Sequence, residues 1–137
     1  MSERDMNTNH NGNKSILIVE DQPMVANALK MILKIDGYDV VTAKNGLEAL
    51  ELYQPGKFTL IFTDYKMPEM NGHQVAAAIR ARDVNQRIIL VTAYSDLALH
   101  DNRSNHVDLV LEKPWSVDAL RAAIAKVLGT ELNIQQP

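Results

Sequence analysis

The chain has 137 residues, 46% of them hydrophobic and 23% charged, with a net charge of −3 and no cysteine. That is the length of one domain with material for a real core; it excludes disulfides and thiolate metal sites, and it lacks the basic excess of a nucleic-acid footprint. No apolar run approaches the roughly 20 residues of a membrane-spanning helix, and residues 1–13 lack the apolar stretch of a signal peptide, so a cytoplasmic protein away from membranes is expected.

In chain order, residues 1–13 are polar and Asn-rich and read as a disordered leader. The domain runs over 14–129. Ile16-Leu17-Ile18-Val19 is the first of five short apolar runs; the others are Val40-Val41, Leu60-Ile61-Phe62, Ile88-Ile89-Leu90-Val91 and Leu109-Val110-Leu111. Aliphatic runs without polar alternation suit strands buried on both faces, hence a parallel sheet. Val25, Leu29, Ile32 and Leu33 have helical spacing, with Gly37 as a stop. Asn45 caps the next helix with Glu48 three residues on, and Leu47, Leu50 and Tyr53 share a face before Pro55-Gly56. Gly72 to Arg82 is alanine-rich and helical. Ser95 to Asn105 holds mostly poor helix formers, so a short or irregular fourth helix is expected there. Ser116 caps a last helix whose stripe is Val117, Leu120, Ile124, Val127 and Leu128, and Gly129 ends it. Residues 130–137 form a short polar tail. Strand and helix alternate through five right-handed units, which gives a three-layer, doubly wound α/β fold.

In open parallel sheets, ligands bind beyond the carboxyl ends of the strands. The residues placed there are Glu20-Asp21 after the first run, Asp64 after the third, Thr92 after the fourth, and Lys113-Pro114 after the fifth. Three carboxylates converging on one edge repel unless a cation or protons offset them. Oxygen ligands without cysteine point to Mg²⁺, which takes one or two carboxylates and leaves room for water and phosphate. Asp64 is then a nucleophile toward a phosphoryl donor. Lys113 neutralises a phosphate oxygen as a point charge, and the Thr92 hydroxyl donates to another.

On these residues the chain resembles the receiver domain of two-component response regulators over about residues 14–129. The match comprises the acidic pair Glu20-Asp21, the string Thr63-Asp64-Tyr65-Lys66-Met67-Pro68-Glu69-Met70-Asn71-Gly72, Thr92-Ala93 and Lys113-Pro114. The resemblance implies a flavodoxin-like (βα)5 sheet, all parallel in the order 2-1-3-4-5. It also implies that the Lys66 carbonyl joins Glu20, Asp21 and Asp64 in holding Mg²⁺, and that Lys113-Pro114 is cis. It implies a phosphoryl donor that is a sensor histidine kinase or a histidine phosphotransfer protein, an unidentified protein target, and a monomer or weak dimer. The chain is then a signalling domain that catalyses only its own phosphorylation and dephosphorylation.

Some positions depart from the family pattern. Val110 stands where many receivers have the Tyr or Phe that swings inward on phosphorylation, so the signal must travel by backbone or helix movement. Asn105-His106-Val107 replaces the usual small residues before the fifth strand. Lys66 and Tyr94, two residues beyond Asp64 and Thr92, flank the phosphate in this family; their bulk implies slow hydrolysis. Trp115 packs beside the lysine loop or grips a partner. Met67 and Met70 read as packing, and His73, His100 and His106 lack the spacing of a metal site. A phosphatase of the haloacid dehalogenase type needs an acid where Lys66 stands and a cap domain. A pseudo-receiver without phosphorylation, and a fragment of a longer regulator or hybrid kinase, remain as alternatives. No output domain follows Gly129, so direct nucleic-acid binding is not expected.

Overall fold

In the computed structural model, which describes residues 14–93 and 106–129, each apolar run forms a strand. β1 spans Ser15–Val19, β2 Asp39–Ala43, β3 Leu60–Asp64, β4 Ile88–Ala93 and β5 Leu109–Lys113. All pairs are parallel, in the order β2-β1-β3-β4-β5. The helices among the described residues are α1 (Pro23–Ile35), α2 (Gly46–Leu52), α3 (Gly72–Arg82) and α4 (Val117–Leu128). This is the flavodoxin-like, doubly wound sheet that the sequence pattern and the resemblance led us to expect. The helix expected over Ser95–Asn105, the leader 1–13 and the tail 130–137 lie outside the described residues.

The period-two alternation of the strands divides the core between two faces. Ile16, Ile18, Leu60, Phe62, Ile89, Val91 and Leu111 point to one side and pack against Leu29 and Leu33 of α1 and Leu120, Ala123 and Ile124 of α4. Leu17, Val19, Ile61 and Ile88 point to the other and meet Ala49 of α2 and Val75, Ala76 and Ile79 of α3. Each fully buried aliphatic side chain contributes about 1.5–3 kcal/mol. Burial on both faces holds for β1, β3 and most of β4. It fails for the two edge strands: β2 is only partly covered, and in β5 Leu111 is buried while Val110 and Glu112 are exposed.

The helix ends follow local chemistry. Pro23 opens α1, where its missing N–H costs nothing. Gly37 at φ 98° turns the chain away from α1, and Gly129 at φ 74° does the same after α4. Asn45 accepts from the Glu48 N–H at 2.8 Å, but the Glu48 carboxylate takes the Lys44 N–H at 2.7 Å instead of closing a box on Asn45. Asn71 and Gln74 do form a complete capping box on α3. Ser116 caps α4 by accepting from Ala119. Leu47 does not share the buried face with Leu50 and Tyr53. Leu47 is 57% exposed, because the side of α2 against the sheet is centred on Gly46 and Ala49 with Tyr53 just beyond the helix, about 130° away from Leu47.

Gly72 locks the turn from β3 into α3. Its N–H donates to the Tyr65 carbonyl at 2.8 Å. A Cβ there would lie 2.5 Å from the Asp64 carbonyl oxygen, 2.5 Å from Leu90 Cδ1 and 3.0 Å from Tyr65 Cα. Two of those three neighbours are backbone and cannot swing aside. Gly72→Ala is therefore expected to destabilise the fold by about 1–3 kcal/mol, although alanine is intrinsically the better helix former. Urea unfolding measures this, and an unchanged midpoint would show that the turn can open without cost.

Candidate functional site

Glu20, Asp64 and Lys113 continue the strand parity of Ile18, Phe62 and Leu111, so all three emerge on the face covered by α1 and α4. Glu20 and Asp21 lie between β1 and α1, and Asp64 closes β3, the neighbour of β1. They flank the point where the winding of the sheet reverses, the place where such folds bind ligands. The Glu20 N–H continues the ladder to the Ala43 carbonyl at 3.0 Å, and its carboxylate accepts from the Gln22 N–H at 3.1 Å. Those bonds hold Glu20 inward, 6% exposed; Asp64 is 5% exposed and Asp21 is half-buried.

One carboxylate oxygen from each of Glu20, Asp21 and Asp64 lies within 4.8 Å of the other two. Lys113 closes β5, two strands away from β3, and its stem reaches past β4 to put Nζ 2.8 Å from Asp64 Oδ1. Adjacent strands are about 4.8 Å apart, so a shorter side chain would fall short. Three acids against one ammonium leave two negative charges in a half-dry pocket if all ionise. Burial, then the Asp64 charge, pushes Glu20 up to about 7. Burial also raises Asp64, opposed by the bond and the charge of Lys113. Hard oxygen donors in an uncompensated acidic cluster fit a small divalent cation such as Mg²⁺.

The other predicted residues fall around this cluster. Thr92 is 1% exposed on β4 beside Lys113's strand, and its hydroxyl makes a long 3.5 Å bond to the Ala93 carbonyl. Lys66 is exposed on the loop after β3; its place among the metal ligands rests on the resemblance alone. The Lys113-Pro114 peptide is cis. Trp115 does pack beside the lysine loop: it lines a small gap together with Glu20 and Asp64, and a surface cavity of about 620 Å³ with Met24, Val25, Lys113 and Pro114. Glu20 and Asp21 also line a more polar cleft of about 290 Å³, together with Thr42 and Lys44. His73 packs edge-on against Tyr65 with ring centroids 5.6 Å apart. Tyr94 and His100 lie outside the described residues. Sequence reasoning missed Gln22 as the amide that orients Glu20, because a backbone donor leaves no mark on residue type.

Comparison with known proteins agrees with this geometry. The family described as Response regulator receiver domain matches residues 16–125. The chain is 31% identical over 122 residues to sporulation initiation phosphotransferase F of Bacillus subtilis, covering 88% of this chain and 98% of that protein. It is 36% identical over 115 residues to the alginate biosynthesis transcriptional regulatory protein AlgB of Pseudomonas aeruginosa, covering 82% of this chain but only 25% of that protein. Among solved structures, the response regulator protein TrrA of Thermotoga maritima, in complex with Mg²⁺-BeF, superposes with a TM-score of 0.76 at 37% identity, covering 84% of this chain and 99% of that one.

The raised Glu20 value has a measurable consequence. In the metal-free protein its folded pKa, about 7, stands above the unfolded 4.5. The stability it confers is complete below the unfolded value and is lost as pH rises through 7. At pH 8 the ionised carboxylate costs on the order of 1–3 kcal/mol. Without metal, Glu20→Gln should therefore unfold at higher denaturant than the parent at pH 8, and at nearly the same denaturant at pH 4.5. Equal midpoints at pH 8 would mean that the cluster is relieved in some other way.

Proposed function

The chain belongs to the response regulator receiver domain family, and from that premise we propose that it accepts a phosphoryl group on Asp64 with the help of Mg²⁺. The observation that carries this reading is the Lys113 ammonium 2.8 Å from Asp64, inside a cluster shared with Glu20 and Asp21. The donor is a phosphohistidine of a sensor histidine kinase or phosphotransfer protein. An Asp64 carboxylate oxygen forms the new P–O bond, the donor P–N bond breaks, and the imidazole nitrogen leaves with the electron pair. Mg²⁺, held by Glu20, Asp21, Asp64 and the Lys66 carbonyl, would offset charge on the transferring group. Lys113, now paired with Asp64, turns its ammonium to a phosphoryl oxygen, and the Thr92 hydroxyl donates to another. Support for the ion comes from the oxygen-only donor set and from the Mg²⁺-BeF complex of the TrrA relative.

The phosphorylated state then signals by moving the surface around β5. Val110, 37% exposed, replaces the usual aromatic, which favours a movement of backbone or helix over a ring rotation. No helix among the described residues is long and apolar enough to cross a membrane. The relatives include both a phosphotransferase that this chain covers almost wholly and transcriptional regulators of which it covers half or less. A relay or adaptor that binds a protein target is the reading we favour for the domain itself. Its pocket retains the reactive acid, lysine and threonine, which a pseudo-receiver would not need.

Incubation with Mg²⁺ and acetyl phosphate should add one phosphoryl mass to the parent, and none to Asp64→Asn or to protein held in EDTA. Lys113→Ala should slow the reaction roughly a hundredfold, as loss of a single charge-stabilising donor does. An adduct of equal yield on Asp64→Asn would move the acceptor elsewhere and end the proposal. Once donor is removed, the adduct should persist for minutes or longer, since Lys66 stands two residues beyond Asp64, where its bulk would hinder an attacking water. Complete release of phosphate within seconds would contradict that.

A further inference from the structure

Between Asp64 and Gly72 the chain runs through an exposed loop that turns two side chains back into the protein. Met67 is 9% exposed, and Met70 packs partly buried against the cluster that holds Ala49 and Val75. Seating both within four residues imposes an unusual backbone. Glu69 sits at φ 71°, and the Met70 N–H donates to the Pro68 carbonyl at 2.7 Å, closing a positive-φ γ-turn. Such a turn is rare and strained for a residue with a side chain, and it persists only where its surroundings dictate it.

What dictates it lies across the loop, at the first residue of α2. A Cβ on Gly46 would stand 2.5 Å from Met70 Sδ, 2.9 Å from Val75 Cγ2 and 3.0 Å from Met70 Cγ. Met70 thus fills the space that any other residue at position 46 would claim, and its thioether rests on bare helix backbone. We infer that Gly46 is a positioning residue for the phosphoacceptor site: by seating Met70 it holds Glu69 in the strained turn, and so sets the backbone at Lys66 before any ion arrives. The inference rests on the reading of the Lys66 carbonyl as a Mg²⁺ ligand. A loop already ordered loses less conformational freedom on binding, and so binds more tightly. By this route α2, which contributes no ligand, governs metal affinity.

A double-substitution cycle on Gly46→Ala and Met70→Ala tests it with two measurements. In metal-free protein, hydrogen exchange follows the Met70 and Gly72 amides, which donate to Pro68 and Tyr65. Each single variant should accelerate both about tenfold while amides of β1 and β3 keep the parent's rates, a local effect that general loss of stability would not produce. Calorimetry should show Mg²⁺ binding weakened about tenfold in each single variant and by about the same factor in the double, because both changes remove one contact. Met70→Ala introduces no clash, so it carries the test if Gly46→Ala folds poorly. Parent-like exchange and affinity in the single variants would overturn the inference, as would losses that multiply to about a hundredfold. Faster exchange in the variants together with no Mg²⁺ binding by the parent would sustain the anchoring and refute the magnesium reading.

Discussion

Two buried carboxylates and a third at their rim, with oxygens within 4.8 Å, cannot all ionise comfortably. Everything else at this end of the sheet is organised around that repulsion. Lys113 meets it with a 2.8 Å ion pair to Asp64, and the proton that Glu20 retains up to about pH 7 meets it in another way. Neither neutralises the cluster fully, and on the proposed reading Mg²⁺ would offset the charge that remains. On that reading, a phosphoryl group on Asp64 would compete for the same ammonium.

That interaction needs strand ends held in register. Lys113 reaches Asp64 past an intervening strand, and a slip of β5 against β4 would move its ammonium by a residue's length. The far end of β5 is pinned accordingly. Asp108 donates its N–H to the Ile88 carbonyl at 2.8 Å and accepts the Ile88 N–H on its carboxylate at 2.7 Å. Arg80 of α3 then binds Asp108 at 3.0 Å and the Gln86 carbonyl, tying the helix to the starts of both strands. Within the body of the sheet, Thr63 is fully buried and its hydroxyl is satisfied by the Asp64 carbonyl at 3.1 Å, so polarity next to Asp64 carries no unpaired group.

β5 is at once the strand that presents Lys113 and an edge strand with an exposed Val110. A change at the acid cluster therefore has a short covalent path to the surface. Trp115 extends that path on the other side: it borders the gap beneath Glu20 and Asp64 and, with Pro114, one wall of the larger apolar cavity beside α1. The acid cluster and two surfaces of the domain thus meet along the six residues from Val110 to Trp115.

Much of this was legible in the chain itself. Apolar runs at intervals and helical spacing between them specified a parallel doubly wound sheet, because burial on two faces and the 3.6-residue period leave marks on residue type. The rule that ligands gather at carboxyl strand ends then picked out Glu20, Asp21, Asp64, Thr92 and Lys113, and parity alone would have placed three of them on one face. An apolar run does not say which strand will lie at an edge, so β2 and β5 are less buried than their residues suggest. A seven-residue helix has too few turns to declare its face, which is why Leu47 does not join Leu50 and Tyr53. The distances that raise Glu20, the backbone amide that orients it, and the thioether resting on Gly46 belong to the tertiary structure alone. They arise from contacts between segments far apart in sequence, and no local pattern encodes how closely two such segments approach.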